Sequence, residues 1–344
     1  MPRLRRVDCA GPGFTRRRRG RGFEYLDASG KRLATPATIQ RIRELVIPPA
    51  WKDVWICPDP WGHIQAVGAD AAGRKQYLYH DRWRTHRDRQ KFERMVGFAR
   101  ALPPLRTRIA RHLKRRALDR ERVLACAVRL LDHGFFRIGS ESYADENGSY
   151  GLATLLKRHV TVSDGVATFD FPAKGGARRQ QTISDRNAVA VLRELRRRRG
   201  GGDELLAHRN GRRWIDVRSE DINAYIKAVT GEEFTAKDFR TWAGTLLAAV
   251  AIASRPIPDT KTARKRAETA AVRTVAGYLG NTPAVCRASY IDPRVFDRFH
   301  AGVTIRPVLD VSLDDEDLDI AVLHGTIEAA VVDLLDDTPT VRAA

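Results

Sequence analysis

The chain has 344 residues, 43% of them hydrophobic, a length that predicts two domains, each able to bury a core. No run approaches the ~18 uncharged apolar residues of a membrane span, the basic start MPRLRRVDCAGPGFTRRRRG lacks the apolar stretch of a secretory signal, and the scattered Cys9, Cys57, Cys126 and Cys286 suggest neither a zinc site nor a disulfide framework, so a cytoplasmic protein is expected. Sixty-one basic against 42 acidic residues give +19; ten acidic residues against Arg342 alone put −9 on residues 310–344 and leave +28 on residues 1–309, a field that attracts polyanions, nucleic acid first among them.

In chain order, FEYLDASGKRL (23–33) alternates about the turn residues Asp27 to Gly30 and predicts a hairpin. TPATIQRIRELV spaces Ile39, Ile42, Leu45 and Val46 as a helix does. Short strands follow at DVWIC (53–57), HIQAV (63–67) and KQYLY (75–79), separated by the turns PDPWG and DAAG. Residues 1–88 are therefore expected to form a small β-rich N-terminal domain, with the polar stretch 80–90 as linker. Beyond it the period changes, and helices are expected at 89–101, 104–115, 119–133, 185–198, 219–229, 235–254 and 262–279, several opened by Ser, Thr or Asp. They make a larger, mainly helical domain over 89–309. One segment interrupts it: HVTVSDGVATFDFPAKGGARRQQTI (159–183) reads as two or three antiparallel strands turning at SDG and AKGG, with Lys174 at the glycine-rich tip. The acidic tail 310–344 is expected to hold a last helix with an apolar face of Ile320, Leu323, Ile327 and Val331. The fold class is α+β.

Tyr290, at the end of LGNTPAVCRASY, raises a chemical question. A phenol with pKa ~10 is a poor nucleophile unless cations stabilise its anion. A phosphodiester target needs the same cations, because its non-bridging oxygens gain charge in the transition state and guanidinium groups match them. Arg137 in FFRIGSESY follows an apolar helix and precedes a glycine; Arg240 in KDFRTWAGT starts a helix whose remainder is apolar; Lys174 on its turn is placed to protonate a leaving oxygen. Singly, each is more often packing or solvated surface, since the chain has eight tyrosines and 50 arginines. Their order and contexts together are more specific.

The segments IPPAWKDVWICPD, GRKQYLYHDRW, FFRIGSESYADENGSYGLATL, FPAKGG, KDFRTWAGT and LGNTPAVCRASYIDP together resemble the type IB DNA topoisomerases, specifically the small poxvirus-like group found in bacteria, over about residues 20–300. The resemblance implies a β-rich domain and a catalytic domain closing like a clamp around duplex DNA. It implies that Tyr290 forms a 3′-phosphotyrosyl bond, that Arg137 and Arg240 clamp the scissile phosphate, that Lys174 protonates the leaving 5′ oxygen and that Lys237, one turn before Arg240, lies close by. Asn281 stands where the family often has histidine; it can donate a hydrogen bond but carries no charge. Lys75, Gln76, Tyr77, Tyr79 and Tyr143 are implied to contact the duplex, although Tyr77 and Tyr79, two apart on one strand face, equally suit a core.

Supercoils of either sign would be relaxed without ATP or metal, because the covalent bond conserves the energy of the broken one. The sequence agrees, having no P-loop lysine and no clustered carboxylates for magnesium, and no cofactor is expected. The partner is double-stranded DNA, held by a monomer on the nucleoid. Two rivals stand beside this reading. A tyrosine recombinase would have a helical N-terminal domain and usually a histidine at the place of Lys237; a catalytically inactive DNA-binding architectural protein would owe its affinity to charge.

Overall fold

Alternation of buried and exposed residues builds the first of two compact units, Met1–Lys91 and Phe92–Ala344, in a computed structural model that describes residues 3–141, 144, 148–309 and 323–336. Tyr143 and Ile320 lie outside the described residues. In the first unit β1 (Phe14–Arg19), β2 (Gly22–Leu26), β3 (Lys52–Ile56), β4 (Ile64–Ala69) and β5 (Lys75–Tyr79) form an antiparallel sheet in the order β2-β1-β3-β4-β5. Helix α1 (Pro36–Glu44) contributes Ile42 to a small core with Val54, Ile56 and Ala66. Strand β1 escaped sequence reading because FTRRRR shows no apolar alternation. Arg16 takes the inward place: its guanidinium donates to the carbonyls of Ile47, Pro48 and Trp51 and lies 4.1 Å from the Phe23 ring centroid. The hairpin expected at 23–33 reduces to one bridge, Leu26 to Arg32, and β2 spends its edge on β1 instead.

The stretch expected as a linker is helical. α2 (Asp81–Leu113) is one 33-residue helix that starts in the first unit, ends in the second, and runs through Pro103 and Pro104. Each proline removes a backbone donor, but the buried face Leu102, Leu105, Ile109 and Leu113 continues in phase across both. There follow α3 (Arg120–Gly134), β6 (Val160–Ser163), β7 (Val166–Pro172), β8 (Arg178–Ile183), α4 (Arg186–Arg197), β9 (Ala207–Asn210), β10 (Arg213–Asp216), α5 (Ser219–Thr230), α6 (Ala236–Ala253), α7 (Lys261–Leu279), α8 (Pro283–Tyr290), α9 (Pro293–His300) and α10 (Thr326–Asp336). The inserted sheet has three strands in the order β6-β7-β8; β9 and β10 are a separate hairpin that the sequence did not betray. α6 is buried almost all round, as its apolar composition requires. Among the described residues no helix is long and apolar enough to cross a membrane. The four cysteines are free, and Cys57, Cys126 and Cys286 are buried.

The described part of the tail is a docked helix. Leu323, Ile327 and Val331 are buried as the apolar face predicts, and α10 packs on α6 and α9. Its Glu328 accepts from Arg106 and from Trp242 Nε1, while Arg106 also grips Asp132 with two bonds of 2.9 Å. His133 and His324 meet edge to face at 5.1 Å beside Asp132. Burial lowers both histidines from the ordinary 6.5, against the upward pull of Asp132. Their folded pKa being the lower one, the unfolded chain binds protons first, so stability is whole above 6.5 and falls as pH drops below it. Melting temperature should therefore decline between pH 7 and 5.5, and His324→Gln should flatten the decline; an unchanged slope would clear this histidine of any part in it.

Candidate active site

Three separate elements converge on the last carbonyls of α7. α3 ends where Phe135 adopts a left-handed conformation (φ 53) and turns the chain outward toward Arg137. The following loop is pinned, with Leu152 N–H donating to Arg137 O at 2.8 Å and Ala153 N–H to Ile138 O at 2.7 Å. Gly139 and Gly151 permit that approach: a Cβ on Gly151 would fall 2.4 Å from Gly139 N. Arg137 Nη2 then donates to Gly280 O at 2.7 Å and to Asn281 Oδ1 at 2.5 Å. Arg240, in the second turn of α6 and only 4% exposed, donates to Phe135 O and, at 2.9 Å, to Leu279 O. From β8, Arg179 donates to Gly277 O and Tyr278 O.

Three guanidinium groups thus sit on the carbonyls of residues 277–280. A helix C-terminus leaves its last carbonyls unpaired and carries the negative end of the dipole, so it can gather cations that would otherwise repel one another. Among the described residues none of the three pairs with a carboxylate; their hydrogen-bond partners are carbonyl and amide oxygens. Burial pulls Arg240 down to about 10; the Tyr290 hydroxyl opposes this by charge, while Arg137 and Arg179 add to it. Burial, then Arg137, also lowers Arg179. At about 10 Arg240 remains charged at neutral pH, and among the described residues no carboxylate pairs with these cations, leaving positive charge for an anion.

Tyr290 closes α8, a helix begun by the Thr282 cap and Pro283. Its ring centroid lies 5.1 Å from the Arg240 guanidinium carbon. The approach depends on Gly244, one turn past Arg240, where a Cβ would stand 2.5 Å from Tyr290 O. Thr245 Oγ1 accepts from Asp292 N–H at 3.1 Å, and its one proton is shared between Thr241 O at 3.0 Å and Tyr290 O at 3.4 Å, which holds the backbone about Ile291. Asn281 gives its oxygen to Arg137 and leaves Nδ2 buried without a partner, an unspent donor beside the cation cluster.

Lys174 is exposed at the β7–β8 tip, where Gly175 and Gly176 take φ of 84 and 77. Its neighbour Ala173 lines the same cleft as Arg137, Arg179, Arg240 and Leu279. Lys237 is exposed in the first turn of α6. In the first unit Tyr77 and Tyr79 are not core: they are 40% and 39% exposed, stack at 6.0 Å, and have Lys75 Nζ 5.7 Å from the Tyr77 ring centroid. Gln76 points to the opposite face and donates to Asp70 Oδ2 at 3.0 Å. Arg179 was missed by the sequence reading, although its alternation with Gln181 and buried Ile183 marks the inner face of β8, where an arginine needs a partner. Asp132, His133 and His324 are the group among the described residues with metal-ligand spacing, but Arg106 occupies both Asp132 oxygens.

Comparison with known proteins bears on this arrangement directly. The sequence profile of the eukaryotic DNA topoisomerase I catalytic core matches residues 80–301, and that of the bacterial DNA topoisomerase IB N-terminal domain matches residues 22–70. The DNA topoisomerase 1B of Acanthamoeba polyphaga mimivirus is 32% identical over 287 residues, 81% of this chain and 85% of that one. The DNA topoisomerase 1B of Vaccinia virus (strain Copenhagen) is 21% identical over 297 residues, 82% of this chain and 88% of its own. Fold and matches define the class, a DNA topoisomerase with a β-sheet N-terminal region and a helical catalytic domain. Within that class the chain belongs to the type IB family, and its substrate is DNA. The β-sheet N-terminal region and its matching profile set it apart from a tyrosine recombinase.

Proposed function

We propose that the chain cuts one strand of duplex DNA by attack of the Tyr290 oxygen on a phosphodiester, lets the free end rotate, and reseals it, relaxing supercoils of both signs. The observation that carries this is the cluster of Arg137 and Arg240, held by carbonyls and, among the described residues, without a carboxylate, with the Arg240 guanidinium 5.1 Å from the Tyr290 ring centroid. Tyr290 yields its proton to water beside the Arg240 guanidinium, 5.1 Å from its ring centroid. The bond from Tyr290 Oη to phosphorus forms as that to the 5′ oxygen breaks, and Lys174 supplies that oxygen with a proton. Arg137, Arg240 and Asn281 Nδ2 receive the charge on the non-bridging oxygens. Because the phosphotyrosyl ester keeps the bond energy, reversal by the 5′ hydroxyl needs no ATP, and fixed cations serve where a metal otherwise would.

Lys75, Tyr77, Tyr79, Lys237 and Tyr143 are assigned to the duplex surface, within a β-rich clamping domain ending near residue 88 and a catalytic domain ending near 309; Gln76, on the opposite face of β5, would reach the duplex only by giving up its bond to Asp70. The exposed Tyr77–Tyr79 stack with its lysine supports the first part of that assignment. The protein acts as a cytoplasmic, nucleoid-associated monomer. Plasmids of either supercoil sign, incubated with the protein in EDTA without ATP, should be relaxed, and detergent-trapped protein should be attached to the 3′ end of the nick. Attachment at the 5′ end would overturn the mechanism; binding without relaxation would favour the inactive architectural reading.

Asn281→Ala should slow cleavage about 10- to 150-fold, since a hydrogen bond to a charged group is worth about 1.5–3 kcal/mol. Asn281→His should remain active. Single-turnover cleavage of a nicked-strand substrate measures both, and an inactive histidine variant would refute the donor role.

A further inference from the structure

We infer that Arg179 is a positioning residue for the general acid: by tying the inner face of the β7–β8 hairpin to the end of α7, it sets where Lys174 meets the leaving oxygen. The inference rests on the reading of Lys174 given above.

The hairpin has two faces. Outward, Asp170 holds Arg178 at 2.6 and 2.8 Å and Gln180 at 3.1 Å, bonds internal to the hairpin. Inward, Phe169 and Phe171 pack on Phe136, and Gln181 donates to Gly134 O at the end of α3. Arg179, directly across from Phe171 in the register, is the inward side chain of β8 nearest the tip that reaches another element. Beyond it the tip closes on itself through Ala173 N–H to Ala177 O at 2.8 Å and Gly176 N–H to Ala173 O at 3.1 Å. On β7 the tip is tied by Tyr150 N–H to Pro172 O at 2.8 Å and on β8 by Arg179; two glycines adjoin Lys174, so the place of the tip depends on both strands being held.

The anchor point is also telling. Arg179 holds Gly277 O and Tyr278 O, while Leu279 O and Gly280 O hold Arg240 and Arg137. One helix end therefore sets the spacing between the proton donor's hairpin and the phosphate-facing arginines. Arg179 spends both terminal nitrogens on these carbonyls. Among the described residues Arg137 commits Nη2 alone, whereas Arg240 gives both terminal nitrogens to the carbonyls of Phe135 and Leu279 and keeps Nε buried and unpaired. Arg137 thus keeps a terminal nitrogen for the phosphate, while both terminal nitrogens of Arg179 are turned to the scaffold.

A substrate that needs no proton separates positioning from other roles. In a duplex with sulfur replacing the 5′ bridging oxygen at the scissile phosphate, the P–S bond breaks to release a thiolate, a leaving group stable without protonation. Single-turnover cleavage by Arg179→Ala and Arg179→Lys is compared with that by Lys174→Ala and the double variant, each checked by circular dichroism. Arg179→Ala should be slowed about 30- to 100-fold on the oxygen substrate and lie within about threefold of the native protein on the sulfur substrate, as Lys174→Ala does. The double variant should be no slower than Lys174→Ala, and Arg179→Lys should recover part of the rate. Equal slowing of Arg179→Ala on both substrates, with Lys174→Ala rescued by sulfur, would overturn the positioning role and leave the general acid standing. Failure of sulfur to rescue Lys174→Ala would overturn the general-acid reading and this inference with it.

Discussion

Tyr290→Phe is expected to give a folded protein that binds DNA and relaxes none of it. The substitution removes one oxygen. The half-buried ring stays packed against the helical core, with the Arg240 guanidinium still 5.1 Å from its centroid, and the Thr245 bond to the Tyr290 backbone is untouched. What goes is the atom that would attack phosphorus. Loss of a nucleophile in hydrolytic enzymes lowers turnover on the order of a million-fold, so plasmid relaxation and the covalent adduct should both fall below detection. Affinity should hold within a few-fold, and so should its decline with salt, because no cation has been removed. Residual relaxation at a tenth of the native rate would place the nucleophile elsewhere. Tyr278 is the residue to test next, its ring lying 5.9 Å from that of Phe135 at the same helix end.

The parts of this site that could be read from sequence were those with a local signature. α6 was visible because an apolar run that long has to be buried, and its start fixes Arg240. The β7–β8 tip was visible because two adjacent glycines after Lys174 dictate a turn. Order along the chain then linked Arg137, Lys174, Arg240 and Tyr290 to one family. The missing parts depend on partners far away in sequence. Arg179 looks like one more basic residue in GGARRQQ until the carbonyls of 277 and 278 arrive beside it. The same holds for β1, whose arginine-rich strand makes sense only once Arg16 meets the carbonyls of 47, 48 and 51. The prolines of α2 misled for the opposite reason: a local helix-breaking rule was overridden by a buried face that continues through them.

Glu328→Ala is expected to be the most destabilising change outside the cleft, and it tests what the tail helix does. Glu328 is 6% exposed and accepts from Arg106 Nη1 at 2.6 Å, from Arg106 Nη2 at 3.0 Å and from Trp242 Nε1 at 2.7 Å. Burial alone would lower Arg106, yet Asp132 and Glu328 hold it well above its ordinary value. Removing Glu328 leaves a buried cation with one carboxylate and strands the indole N–H, a change that costs about 3–5 kcal/mol when a buried pair is broken. For a unit of this size that is a fall of about 6–20 °C in melting temperature. The loss should reach the cleft, because α10 packs on α6, which carries Arg240, and receives Arg294 at Leu335 O, 3.0 Å away. Arg294 also grips the buried Asp292, two residues after Tyr290. On warming, relaxation by Glu328→Ala should therefore fail at a lower temperature than DNA binding does. An unchanged melting temperature with tighter DNA binding would mean instead that the acidic tail shields the basic surface from DNA and that its docking contributes little to the fold.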